Sequence, residues 1–139
     1  MKQINRFKDF YRNLHQTDLS RITDIYDDAV VFRDPVHSLK GAADLHAYMS
    51  DLCENLSCCR FEYLDQVVEE GSAFIKWDMH FSHKSLGEDV ISVRGISHIQ
   101  FRDKIYYHED TYDMGALLYE NVPLLGSITR WLKRRLVHK

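Results

Sequence analysis

The residues of this 139-residue chain that could do chemistry lie in a few short stretches. In IleTyrTyrHisGluAspThrTyr, residues His108, Asp110 and Tyr112 are spaced two apart. In an extended strand that period puts all three side chains on one face. A carboxylate on an apolar face is costly to ionise, which makes it a usable base near neutrality, and a neighbouring imidazole can shuttle its proton. A second carboxylate, Asp34, closes the run AlaValValPheArgAsp just before Pro35. Asp-Pro is a common strand-ending turn in which the carboxylate accepts a local backbone hydrogen bond. An inward-facing base is the competing role.

Other groups point to less. His80 and His83 are three apart, which on a strand sends them to opposite faces. CysGluAsnLeuSerCysCys carries all three cysteines, lacks a second half and matches no zinc spacing. No metal site is expected. There is no glycine-rich phosphate loop, so no nucleotide or other cofactor is expected. An odd, clustered set of thiols suits a reducing cytoplasm better than a disulfide framework. The N-terminal stretch alternates charge with apolar residues and lacks the unbroken core of a signal peptide.

Charge is uneven. All 21 acidic residues precede Pro123, while five of the 18 basic ones follow it. The body therefore holds 13 cations against 21 anions, a balance of −8, and the tail carries +5. An acidic body argues against a nucleic-acid partner, whose footprint is a basic face. With 45% apolar and 28% charged residues, the composition is that of one ordinary globular domain and excludes a disordered chain or coiled coil.

The elements that must position these groups follow from periodicity. Ile4, Phe7, Phe10, Tyr11 and Leu14 repeat at helical spacing. Thr17 or Asp18 can cap a second helix carrying Leu19, Ile22, Ile25 and Tyr26. Residues 29–34 read as a strand, and Gly41 precedes a third helix with Leu45, Tyr48, Met49 and Leu52 inward. After Cys59 the period changes to alternation: a strand to about Glu70, a turn at Gly71-Ser72, then strands over 75–82, 90–101 and 105–112. Three helices followed by a meander predict an α+β domain. The economical packing is a strongly curved, four-stranded antiparallel sheet wrapped into a cone, with the helices closing its concave side and Gly95 permitting a bend.

The runs LeuHisGlnThrAspLeuSerArgIle, IleTyrAspAspAlaValValPheArgAspPro and GlyAlaAlaAspLeuHisAlaTyr resemble the opening of the ketosteroid-isomerase, SnoaL and nuclear-transport-factor-two superfamily. SerHisIleGlnPhe and LysIleTyrTyrHisGluAspThrTyrAsp are similar to its closing hairpin. The likeness covers roughly residues 4 to 113 and is nearest to SnoaL-like bacterial proteins. It implies a cone-shaped, cystatin-like α+β barrel, in most members a homodimer, around a cavity for one apolar ligand. Matching the isomerase pattern places a base at Asp34 but puts Phe10 and Ser97 where oxyanion donors stand. Phe10 cannot donate, and losing one donor costs ~10²–10³ in rate, so that reaction is not expected. The cyclase pattern implies Asp110 as the acidic residue with His108 beside it. The Arg-x-Asp pair of the epoxide hydrolases is absent from the middle strands.

The resulting expectation is a SnoaL-like domain over 1–113, cytoplasmic and dimeric, binding a small apolar molecule. Asp34, Asp110 and His108 are the catalytic candidates for cofactor-free cyclase or isomerase chemistry. Tyr26, Tyr48, Trp77, Met79, Ser97 and Tyr112 are the ligand-facing candidates, although for all but Ser97 packing is the stronger reading and recognition the weaker. Residues 114–139 form an amphipathic helical extension, with Leu124, Ile128, Trp131, Leu132 and Leu136 on one face and basic residues around it. Docked on its own domain or dimer, that helix would have only weak affinity for a membrane. The rival expectation is a non-catalytic ligand-binding or accessory protein acting through this basic helix.

Overall fold

The computed structural model describes residues 1–84, 89–113 and 134–136. Helix α1 spans Lys2–Arg12, and α2 is a single turn at Ile22–Ile25. Strand β1 spans Tyr26–Arg33, β2 Ser38–Lys40, and helix α3 Ala42–Glu54. The long strands follow: β3 Leu56–Glu69, β4 Ser72–His83, β5 Ile91–Phe101 and β6 Ile105–Tyr112. The extension placed at 114–139 lies outside the described residues apart from 134–136, which are helical and exposed. Among the described residues no helix is long and apolar enough to cross a membrane.

The sheet has six strands in the order β2-β1-β6-β5-β4-β3. It is curved but not closed, since β2 and β3 are edges, and this corrects the four-stranded barrel. It is also not wholly antiparallel, because β1 runs parallel to β6 with Phe32 beside His108 and Arg33 beside Glu109. Register shifts interrupt the ladders between Tyr26 and Val31, Tyr63 and Asp65, and Gln100 and Phe101. Such bulges bend strands and increase their twist.

Local chemistry explains each boundary. Asp18 Oδ1 accepts from the Ser20 amide and caps a 3₁₀ turn at Leu19–Arg21. The expected second helix then stops at Ile25, because Tyr26 turns extended and pairs with Ile105. Gly41 and Gly71 have φ of +99° and +73° at two chain reversals, a region glycine enters without a Cβ penalty. Gly95 has a different reason from the expected bend. A Cβ there would overlap the Trp77 ring, which lies over the directly paired position.

The core forms where one side of the sheet meets the helices. Ile4, Phe7, Phe10 and Tyr11 of α1, Leu45 and Met49 of α3, and Ile75, Trp77, Ile99 and His108 of the sheet are all buried there, with α1 resting mainly on β3 and α3 on β1. The alternation in β4 and β5 therefore divides a buried inner face from a partly solvated outer one.

Candidate functional site

Three adjacent strands build the site. On β6 the two-residue period turns His108 and Asp110 inward; Ser97 of β5 is the direct cross-strand partner of Asp110. Trp77 of β4 stands one ladder step further. Trp77 Nε1–H donates to Ser97 Oγ at 2.8 Å, and the Ser97 hydroxyl donates to Asp110 Oδ1 at 2.5 Å. His108 Nε2 lies 2.7 Å from the same oxygen. On the other side of the imidazole, Nδ1 is 2.8 Å from the Tyr26 hydroxyl, which is 2.7 Å from the Tyr11 hydroxyl.

One set of protons satisfies this chain. A carboxylate only accepts, so His108 is protonated on Nε2 and donates to Asp110. His108 Nδ1 then accepts from Tyr26, and Tyr26 accepts from Tyr11. Burial holds both phenols well above the ordinary tyrosine range, which keeps them donors. All these protons point toward Asp110 Oδ1. Among the described residues no donor reaches Oδ2, and the Asp110 side chain keeps 17% of its surface exposed. The imidazole is 1% exposed and is packed by Phe7 at 5.1 Å and Phe32 at 4.9 Å between ring centres. His108 therefore positions Asp110, and its ring lines the space in front of that carboxylate while staying shielded from solvent.

Phe7, Tyr11, Phe61, Tyr63 and Trp77 wall the space in front of Asp110. That space is only about 10 Å³, room for about one water. The rings of Tyr11, Phe61 and Trp77 pack edge to face and fill the interior, with centroids 5.7 and 5.0 Å apart. Phe61 and Tyr63 are only half-buried and form the rim.

Asp34 follows the last residue of the neighbouring strand β1, immediately after the Arg33–Glu109 pair and so at the level of Asp110. Its side chain is 2% exposed, yet it is engaged on every side. Oδ1 accepts from the Val36 and His37 amides at 2.8 and 2.7 Å, and Oδ2 accepts from the Tyr48 hydroxyl at 2.9 Å. His37 Nδ1 lies 3.2 Å away. Burial first, and then Asp34, pushes the Tyr48 phenol far up. Burial does the same to Tyr112, whose phenol feels both Asp34 and Asp110.

Of the sequence-derived candidates, the structure joins Asp110, His108, Tyr26, Ser97 and Trp77 in one network. Tyr48 joins Asp34 instead. Tyr112 lies 6.4 Å from Trp77 between ring centres, and Met79 packs half-buried against the core. Phe7, Tyr11, Phe61 and Tyr63 were not singled out by sequence; their only signal was an inward position in an apolar pattern. Tyr11 also places a hydroxyl on α1 one residue after Phe10, where the isomerase pattern showed none.

On the outer face, donor atoms of Glu62, Asp78 and His80 lie within 4.8 Å of one another. Arg94 already grips both Asp78 oxygens, at 2.8 and 3.1 Å, so this cluster is a neutralised pair with a histidine beside it.

The fold recurs in solved structures. A ketosteroid isomerase-like protein from Catenulispora acidiphila, in complex with trimethylamine, superposes with a TM-score of 0.74 at 9% identity, over 84% of this chain and 89% of that one. An NTF2-like protein of unknown function from Burkholderia pseudomallei gives 0.74 at 10%, over 85% and 95%. A protein from Shewanella putrefaciens assigned as a SnoaL-like polyketide cyclase gives 0.71 at 11%, over 84% and 90%. At these identities the likeness concerns fold alone. No curated protein matches the sequence. The SnoaL-like domain itself matches residues 7–108, a span holding most of the hydrogen-bonded network, and the chain belongs to that family.

Proposed function

We propose that the protein binds a small molecule with an apolar body in front of Asp110 and that the free Asp110 oxygen exchanges a proton with it, as in cofactor-free isomerase or cyclase chemistry. The observation that carries this reading is the asymmetry of one carboxylate. Oδ1 is fixed by Ser97 and His108, while Oδ2 has no donor among the described residues, and the carboxylate lines the aromatic-walled space. A base needs such a lone pair within hydrogen-bond reach of the proton it takes. Tyr26 holds the tautomer of His108, and His108 holds Asp110. With about 10 Å³ available, a ligand larger than water must swing the half-buried Phe61 and Tyr63 rings outward.

A small-molecule screen by ligand-observed NMR on the wild type and the Asp110→Asn variant tests the reading. Compounds that bind the wild type and show exchange of a carbon-bound proton in D₂O should lose that exchange in the variant. Exchange that persists without the carboxylate contradicts the role of Asp110. Binding that never comes with exchange favours the ligand-binding alternative, which the nearly filled interior also supports.

We further propose that two copies pair through the outer face of the sheet, where Phe74 is 49% and Ile96 44% exposed on neighbouring strands. Light scattering should give twice the chain mass. The substitution Ile96→Lys should halve it, and a monomeric wild type would refute the pairing.

A further inference from the structure

We propose a second binding site, separate from Asp110, that takes a small doubly charged oxyanion of the phosphate-monoester kind. It is an open cleft of about 260 Å³ lined by Arg6, Arg21, Asp24, Ile25 and Lys104. Three segments distant in sequence meet there: α1, the continuous stretch of 3₁₀ turn and α2, and the tight turn between β5 and β6. Side-chain to backbone ties hold them in register. Gln3 Nε2 donates to the Arg102 carbonyl at 2.7 Å, fastening α1 to the β5–β6 turn. Lys104 Nζ donates to the Thr23 carbonyl at 2.6 Å, fastening that turn to α2.

The cleft thus gathers three cations from three directions in a protein whose body is strongly acidic. Among the described residues neither Arg6 nor Arg21 makes a hydrogen bond or ion pair within the cleft, Arg21 is felt only through space by Asp18, and no salt bridge joins Asp24 to any of the three cations. Two guanidinium forks facing one space can each hold an oxyanion by paired N–H···O bonds, with the lysine as a point charge. Three positive charges converging on one space suit a dianion better than a monoanion. Asp24, the lone acceptor, suits a ligand that also carries a hydroxyl, on the ester group of a monoester or on phosphorus in hydrogen phosphate. Ile25 gives the cleft a small apolar floor.

The site does not extend the Asp110 pocket. Lys104 and Asp110 stand at opposite ends of β6, and six residues of strand put about 20 Å between them. Arg6 and Phe7 likewise point α1 toward different spaces.

The test is an amide NMR titration of the full chain with inorganic phosphate, at ionic strength held constant with sodium chloride. Saturable shifts around Arg6, Arg21 and Lys104 are expected. Arg6→Gln and Arg21→Gln, both exposed and safe for the fold, should each weaken binding roughly three- to tenfold. The double variant should abolish saturation, and acetate should bind more weakly than phosphate. Three results overturn the proposal: shifts that chloride alone reproduces, variants that bind phosphate like the wild type, or acetate binding as tightly as phosphate.

Discussion

Asp34, just past the end of β1, and Asp110, on the neighbouring β6, lie at one level, both largely buried, and the fold uses them in opposite ways. Asp34 is the more deeply buried, yet it accepts from two amides and a tyrosine hydroxyl. It closes the turn that Pro35 begins. Asp110 accepts only on one oxygen, from a serine and a histidine that are themselves held by Trp77 and Tyr26. Burial alone does not mark a reactive carboxylate. A saturated one secures the chain, whereas one with a fixed oxygen and a spare lone pair can act on something else.

Substitutions at the two positions should therefore separate structure from chemistry. The largest effect is expected at Asp110. For any compound found to undergo proton exchange, Asp110→Asn should lower the single-turnover rate ~10²–10⁴-fold, while urea unfolding stays close to that of the wild type. At Asp34 the order reverses: Asp34→Ala should cost about 2–3 kcal/mol in urea unfolding, through lost hydrogen bonds to a charged acceptor and a stranded Tyr48 hydroxyl. Exchange chemistry should then survive under conditions where the variant is folded. Ser97→Ala falls between. It leaves the buried Trp77 N–H without its acceptor and should cost about 1–2 kcal/mol, with a modest loss of rate as Asp110 loosens. A smaller effect concerns the rim: Phe61→Ala should admit larger ligands and raise their affinity a few-fold, read by titration. The smallest concerns a thiol far from both carboxylates. Burial pushes Cys59 up to about 12, so at pH 8 it is essentially all thiol. Mass spectrometry should show iodoacetamide labelling Cys58 well before it.

Much of this comparison could be read before the structure. The two-residue period placed His108, Asp110 and Tyr112 on one face, and Asp-Pro offered a turn role for Asp34 beside that of a catalytic base. The alternation placed β5 and β6 to within a residue, while β4 begins three residues before its expected start, at Ser72. What escaped depends on tertiary pairing. Strand β2 is three residues long, too short to show a period. Tyr26 continues a helical spacing until β6 captures its backbone. Strand β3 starts at Leu56, several residues before its alternation becomes visible. The parallel β1–β6 pair brings Phe32 against His108, a contact that no local pattern encodes. The direction of the hydrogen bonds also belongs to the assembled network. So does the filling of the cone by Tyr11, Phe61 and Trp77, because side-chain volumes decide it only once the strands are in register.

The most direct test of the account is a ligand-induced thermal shift, measured with one compound set on the wild type, Asp34→Asn and Asp110→Asn. Asp34→Asn should start from a lower melting temperature but keep the wild-type increment for each ligand. Asp110→Asn should start near the wild-type melting temperature and lose the increment for ligands that hydrogen-bond the free oxygen. Increments lost in Asp34→Asn and retained in Asp110→Asn would contradict it.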